Sequence, residues 1–189
     1  MKKHTLAIKK SYLQLPLFKK AFVHKSSSSD QNNERLEFLG DAVLEIFISE
    51  YLFNRFSDLD EGRLTQMRAS LVNTKSLAEI FLRLDCKDLL SASKGTKNLD
   101  ESHKYSIYAG TLEACIGAIF IELGFEESKN FILDLFKSNF SNLDKFIDFK
   151  DAKSKLQEIL QAEGSELPEY SVIANKEGCL LYTSDAADE

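Results

Sequence analysis

The segment from Glu34 to Phe56 carries the clearest structural signal in the chain. Apolar residues recur there at the three- and four-residue spacing of one helix face, namely Leu36, Leu39, Val43, Phe47 and Tyr51. Glu34 and Glu37 stand in the first turn, where the helix dipole favours carboxylates, and Asn32-Asn33 precede them as an N-cap. The pattern predicts one long helix against which the rest of the chain has to pack.

Helical spacing continues through most of the chain. The other predicted helices run from Pro16 to about Ser26, around Leu64 to Leu71, from a Ser76-x-x-Glu79 capping box to about Leu84, and over 106–123, 126–140 and 150–162. Gly124 is the predicted C′ residue of the helix 106–123. Strand signal occurs only after Pro168, in Tyr170-Ser171-Val172-Ile173, so the body of the chain is predicted to be all-α.

Composition bounds the class of protein. A chain of 189 residues is long enough for one main domain plus an appendage, and 2 Pro with 8 Gly fit a globular helical fold. Three cysteines without CxxC spacing favour a reducing compartment, and lysines interrupt the apolar runs near the start, so we expect a cytoplasmic protein without a membrane span. The net charge of −6 argues against a phosphate-rich partner, but seven lysines lie within residues 1–33 and most of the acid follows them.

The acids of the long helix share one stripe. On a helical wheel they fall within roughly an 80° arc, and they are Glu34, Glu37, Asp41 and Glu45. A solvated polar face is the simpler interpretation, yet Phe38, Ile48 and Leu52 border the stripe and favour a buried or cleft-lining position. Crowded carboxylates repel one another unless a cation lies among them, and their hard oxygens suit Mg²⁺ or Mn²⁺.

The predicted helix over 106–123 offers a further acid. Glu113 shares its side of that helix with Ala109, Gly110 and Gly117, small residues that allow another helix to approach closely. A carboxylate at such a contact needs a counter-charge, whereas a solvated or salt-bridged rim residue is the alternative. Together with the acid stripe, Glu113 is a candidate metal ligand.

The run Asn33-Glu34-Arg35-Leu36-Glu37-Phe38-Leu39-Gly40-Asp41-Ala42-Val43-Leu44 resembles the signature of the ribonuclease III family, the Mg²⁺-dependent endonucleases of double-stranded RNA. Other segments agree in order and spacing, namely Ala21 to Ser26, Asp60-Glu61-Gly62, Arg68 to Val72, Thr111-Leu112-Glu113-Ala114 and Ile116-Gly117-Ala118. The resemblance implies an all-helical endonuclease domain that acts as a homodimer, followed by an α/β double-stranded-RNA-binding domain.

The resemblance also assigns roles to single residues. It implies that Glu37, Asp41 and Glu113 hold the metal, with Asp41 and Glu113 catalytic, and that Glu34 and Glu61 are two further acids that handle RNA. Phe38 matches the aromatic side chain that the family inserts into a socket on the partner subunit. The helical wheel independently places Phe38 away from the core face, an awkward position for phenylalanine in a monomer.

The implied activity is cleavage of double-stranded RNA by metal-activated water, with Mg²⁺ or possible Mn²⁺ as cofactor, 5′-phosphate and 3′-hydroxyl ends, and ribosomal or messenger RNA precursors as substrates. The N-terminal lysines, Lys94, Lys97 and Lys104 are candidate phosphate contacts. Gly110 stands where the family pattern has Asp, so weaker metal binding is expected, and a non-cleaving RNA-binding dimer with a decayed metal site is the alternative function. An unrelated helical protein with an acidic face is the third option.

The predicted domain organisation has three parts. Residues 1–146 form the endonuclease domain, and 147–178 form the N-terminal part of a double-stranded-RNA-binding domain. Only 40 residues remain from Lys150 to Glu189, too few for the helix, three strands and second helix of that domain. Residues 179–189 match nothing in the family and are interpreted as an artefactual tail.

Overall fold

The computed structural model describes residues 8–27, 31–93, 95–96, 99–141, 143, 159–162, 164, 169–173 and 181–185. The chain divides into two compact units, Met1–Phe140 and Ser141–Glu189. The described part of the first unit is helical, and the second unit contains a two-stranded sheet. All the predicted site residues lie in the first unit.

Among its described residues the first unit contains five α-helices, which are α1 (Pro16–Ala21), α2 (Glu34–Arg55), α3 (Glu61–Val72), α4 (Thr74–Arg83) and α5 (Glu101–Phe140). Short 3-10 turns cover Tyr12–Gln14, Lys25–Ser27 and Lys87–Leu89. Helix α5 packs against α1, α2 and α4, and α2 makes its main contact with α5. The predicted all-α body is confirmed, with α5 as its central element.

The start of α2 differs from the predicted cap. The Asn33 side chain does not cap the helix; its Nδ2 donates to the carbonyl of Ala21 at 3.1 Å. Instead Asn32 Oδ1 accepts from the Glu34 amide at 3.1 Å. Asn33 is buried and ties the end of α1 to the start of α2, because a tertiary partner competes for its side chain.

Helix α4 also begins earlier than predicted. The expected capping box at Ser76 is wrong, since Asn73 is the N-cap and its Oδ1 accepts from the Ser76 amide at 2.9 Å. Helix α5 begins at Glu101, five residues before the predicted start at 106, and Asp100 Oδ1 accepts from the His103 amide at 2.9 Å. In both cases a side chain outside the apolar pattern decides where the helix starts.

Helix α5 is interrupted at Gly124, which has φ 83° and ψ −173°. This left-handed φ strains any residue with a side chain, so the glycine permits the break predicted there, and a second helical segment continues to Phe140. An 18-residue window of α5 has a mean hydropathy of 1.4, apolar and long enough to cross a membrane by composition alone. Because 61% of that window is buried inside the protein, the apolar residues of α5 serve as the core.

The core of the first unit lies around α5. Its largest fully buried side chains come from every described helix, and they are Phe18, Phe47, Phe81, Phe136, Leu44, Ile48, Leu52, Met67, Leu77, Ile80, Leu112 and Ile116. Ile48 and Leu52, which border the acid stripe, are thus core residues. The stripe itself is only partly covered, since Glu37 and Glu45 are half-buried while Glu34 and Asp41 are exposed.

The second unit contains strands β1 (Glu169–Ile173) and β2 (Leu181–Asp185), which pair antiparallel with Glu169 opposite Asp185. The predicted strand at 170–173 is confirmed. Of the predicted helix 150–162, residues 159–162 are helical and 150–158 lie outside the described residues. Strand β2 falls inside the segment that was interpreted as an artefactual tail, and it has a pairing partner in β1.

Candidate metal site between two helices

Two glycines bring α2 and α5 into backbone contact. A Cβ atom on Gly40 would overlap the carbonyl oxygen of Glu113 and would lie 2.9 Å from the amide nitrogen of Gly117. A Cβ atom on Gly117 would overlap the carbonyl oxygen of Leu36 in the same way. Any side chain at either position would push the two helices apart. The close approach keeps the acids that flank these glycines near one another.

Glu37, Asp41 and Glu113 form one electrostatic group across this helix contact. Burial, with further contributions from the negative charges of Asp41 and Glu37, raises the pKa of Glu113 to about 8. Burial also raises the pKa of Glu37, with contributions from Glu34 and Asp41 that the positive charge of Lys25 opposes. The three predicted ligands therefore interact electrostatically across the two helices, and their repulsion contributes to the raised pKa values of Glu37 and Glu113.

The side chains as they stand do not form a closed ligand set. Among the described residues no three His, Cys, Asp or Glu side chains lie close enough together to hold a metal ion. The Glu37 carboxylate rests against Gly110 instead, because a Cβ atom on that glycine would lie 2.7 Å from Glu37 Cδ and 2.8 Å from each carboxylate oxygen. Glu37 thus occupies the space where an Asp side chain at position 110 would begin.

The donor chemistry nevertheless fits a divalent cation. Glu37, Asp41 and Glu113 supply hard carboxylate oxygens, and Glu113 is desolvated enough to retain a proton near neutral pH. A cation among them would offset the repulsion that, in addition to burial, raises the pKa values of Glu37 and Glu113. Because position 110 is a glycine, the Glu37 carboxylate fits beside it and supplies a carboxylate at that point.

The chain matches a family model described as ribonuclease-III-like over residues 15–139. It is 44% identical over 159 residues to Ribonuclease 3 of Campylobacter fetus subsp. fetus, which covers 84% of this chain and 71% of the relative. It is 46% identical over 153 residues to Ribonuclease 3 of Campylobacter jejuni serotype O:6, and that alignment covers 81% of this chain and 68% of the relative. The chain belongs to the ribonuclease III family.

Solved structures agree with this ribonuclease III assignment. A nuclease domain of ribonuclease III from Campylobacter jejuni, described for flexibility in a region involved in dimer formation, superposes with TM-score 0.63 at 44% identity. The match covers 71% of this chain and 91% of that domain. Dicer from Pichia stipitis matches with TM-score 0.57 at 26% identity, covering 97% of this chain and 85% of that one.

The two further acids predicted from the ribonuclease III pattern lie in different settings. Glu34 accepts from Lys25 Nζ at 3.0 Å, and this bond lowers the pKa of Glu34. The negative charge of Glu34 contributes to the raised pKa of Glu37. Glu61 is the first residue of α3 and accepts from the Thr65 hydroxyl at 3.0 Å. Within one chain, the described contacts therefore link Glu34 to the metal-site acids and place Glu61 on a separate helix.

Phe38 is the most exposed large apolar side chain among the described residues, with 81% of its surface accessible. It lines a groove of about 590 Å³ whose other lining is partly apolar, with Leu17, Leu36, Leu39 and Ile121, and partly charged, with Lys20, Glu34 and Arg35. The helical wheel predicted this outward position correctly. An exposed phenylalanine beside a partly apolar groove is a surface suited to contact with another protein chain.

The predicted phosphate contacts are only partly described. Lys94 and Lys97 lie outside the described residues. Lys104 donates to Glu101 at 3.2 Å, so it is engaged within its own helix. Lys104 and Lys87 also line a cavity of about 640 Å³ that contains none of the predicted ligands. This cavity is separate from the metal-site acids.

Sequence reasoning missed the role of Lys25 and treated Gly40 only as part of the ribonuclease III signature. Lys25 is the positive charge that acts on both Glu34 and Glu37, yet it precedes α2 by a turn and a loop. No periodic pattern connects Lys25 with these acids. Gly40 sets the helix approach, and the signal that could have found it is the pair of small residues facing each other on two predicted helices.

Proposed function

We propose that this chain is a Mg²⁺-dependent endonuclease of double-stranded RNA that works as a homodimer. The observation that carries the proposal is the electrostatic group of Glu37, Asp41 and Glu113 across the α2–α5 contact, in a chain of the ribonuclease III family. These three residues would hold the ion, and Mn²⁺ offers the same coordination chemistry. Asp41 and Glu113 are the proposed catalytic acids.

A bound divalent ion would supply an activated water and offset charge on the scissile phosphate. Glu113 is half-buried and its pKa is raised to about 8, so a bound cation would compete with a proton for this carboxylate. Backbone contact at Gly40 orients both helices and thereby the carboxylates. Products with 5′-phosphate and 3′-hydroxyl ends follow if water attacks while the 3′-oxygen leaves.

The proposed dimer uses Phe38 of each subunit. In a two-fold dimer each Phe38 enters the groove of the other chain, which buries an apolar surface that water otherwise contacts. Two active sites would then face the two strands of one duplex. The similar nuclease domain of Campylobacter jejuni ribonuclease III has a region involved in dimer formation, which supports the proposal of a dimer.

The proposed substrate is duplex RNA read mainly by its shape. A-form RNA hides its base edges in a deep major groove, so recognition depends on phosphates and 2′-hydroxyls. Glu34 and Glu61 are proposed to handle RNA near the metal site, and precursors of ribosomal and messenger RNA in the cytoplasm are the proposed natural substrates. A double-stranded-RNA-binding segment after residue 146 would add affinity.

A second candidate function is binding of duplex RNA without cleavage. Gly110 in place of Asp favours it, as does the absence of a three-carboxylate cluster among the described side chains. Incubation of the purified protein with a long RNA duplex separates the two functions. The endonuclease proposal expects Mg²⁺-dependent fragments with 5′-phosphates, no fragments with EDTA, and none from the same sequence as DNA. Retarded but intact RNA at every Mg²⁺ and Mn²⁺ concentration would leave the binding function.

A further inference from the structure

Three glycines lie at the α2–α5 contact, and the space beside each is filled either by backbone or by a side chain of the opposite helix. At Gly40 and Gly117 the space is taken by backbone atoms of the opposite helix. At Gly110 all three nearest atoms belong to the Glu37 carboxylate. The first two glycines therefore serve helix packing, whereas Gly110 makes room for a functional side chain.

The observed position of Glu37 requires a glycine at 110. Carboxylate atoms 2.7–2.8 Å from a Cβ position are closer than real Cβ contacts allow, so any residue with a side chain would displace the Glu37 carboxylate. Glu37 leaves α2 one turn before Asp41, and Gly110 lies one turn before Glu113 on α5. Gly110 is thus placed to control where Glu37 stands relative to both other acids.

We propose that Gly110 is a positioning residue that seats the Glu37 carboxylate, so that Glu37 takes the place an acid at position 110 would have in the metal site. This inference rests on the proposed metal-dependent function. Gly110 then belongs to a working metal site and does not mark a decayed one. The Glu37 carboxylate and a side chain at position 110 cannot occupy the same space.

Titration of the full chain with Mn²⁺, followed by calorimetry, tests the proposal without depending on catalysis. We expect G110A to weaken Mn²⁺ binding by about 10- to 100-fold, which is the usual effect of substituting a residue that positions a metal ligand. We expect the thermal midpoint of the metal-free variant to stay level or rise, because alanine is favoured over glycine inside a helix. If Gly110 served packing only, G110A would lower the Mn²⁺ affinity and the thermal midpoint together.

The double variant supplies the decisive comparison. With Glu37→Ala the side chain that meets the new Cβ is gone, so adding G110A should change Mn²⁺ affinity no further. Gly62→Ala is the matched control, because a Cβ there meets only Asp60 Oδ1 at 3.4 Å, and it should leave affinity unchanged. G110A that unfolds even without Glu37 would overturn the proposal, while unfolding only in its presence would support it.

Gly110→Asp distinguishes an adapted site from a decayed one. If Gly110 seats Glu37, adding Asp beside that carboxylate lowers Mn²⁺ affinity, and affinity returns toward the unaltered value when Glu37→Ala is combined with it. A gain in affinity with Glu37 present would overturn the inference. Unaltered protein that binds no Mn²⁺ would refute the metal-dependent function as well, whereas binding that G110A leaves intact refutes the inference alone.

Discussion

Gly40 on α2 lies against the carbonyl oxygen of Glu113 on α5, with no room for a Cβ atom between them. This contact joins the helix that carries Glu37 and Asp41 to the helix that carries Glu113. The distance between the metal-site acids therefore depends on a residue that has no functional group of its own.

Gly40→Ala should destabilise the protein by about 3 kcal/mol, because the new methyl group meets backbone that cannot rotate away. Mn²⁺ affinity should fall with stability, since the two helices separate. Urea unfolding monitored by circular dichroism measures the first effect and calorimetry the second. Gly62→Ala, on the exposed face of α3, should be neutral or slightly stabilising; equal losses in both variants would contradict a special role for Gly40.

The free energy of unfolding of the metal-free protein should depend on pH through Glu113. Its folded pKa of about 8 lies above the ordinary value of 4.5, so the folded state binds this proton more tightly than the unfolded state does. The contribution of Glu113 to stability is therefore largest below pH 4.5, declines as the pH rises, and levels off above about 8.

Glu113→Gln should remove this decline, because glutamine does not titrate. Urea unfolding in EDTA at a series of pH values measures the difference between the two proteins. The same variant should also lose stabilisation by added Mg²⁺. A Glu113→Gln protein that keeps the full pH slope would show that another group causes it.

Phe38→Ala should convert the proposed dimer into a monomer, because it removes the apolar side chain that fills the partner's groove. Light scattering coupled to size exclusion measures the mass directly. Phe53 is the matched control, an exposed phenylalanine 72% accessible on the same helix and about 22 Å further along it. If Phe53→Ala dissociates the protein equally, the specific role of Phe38 is wrong.

His24 should make the folded protein sensitive to mild acid. Its Nδ1 accepts from the Ser26 amide at 3.2 Å, a bond that protonation of Nδ1 removes. Burial and then the charge of Lys25 lower its pKa below 6.5, so the stabilising contribution is complete above that value and is lost as the pH falls below it. Glu113 acts in the opposite direction over this pH range, so the comparison uses Glu113→Gln as the background. Unfolding of Glu113→Gln at pH 5.0 and 7.5 should show the His24 difference, and the double variant with His24→Gln should show a smaller one.

Several helix boundaries illustrate what local pattern can predict. The apolar spacing of α2 is visible over six turns, so its existence and core face follow from the sequence. Of the predicted Asn32-Asn33 cap, only the Asn32 side chain binds an amide of the helix, because the Asn33 side chain donates to the carbonyl of Ala21. Likewise Asn73, rather than Ser76, caps α4, while the Ser76 hydroxyl accepts from Asn139 Nδ2 at 3.3 Å.

The sequence by itself determined that Glu37 and Asp41 share a helix stripe, that Phe38 points away from the core, and that the chain has the ribonuclease III signature. These follow from helical period and residue type alone. Only the tertiary structure decided how close Glu113 comes and where the Glu37 carboxylate rests. The approach of Glu113 and the position of the Glu37 carboxylate depend on Gly40 of α2 and on Gly110 and Gly117 of α5, which are 70 or more residues further along the chain. No short-range sequence pattern encodes which atoms of a distant helix will fill the space beside a glycine.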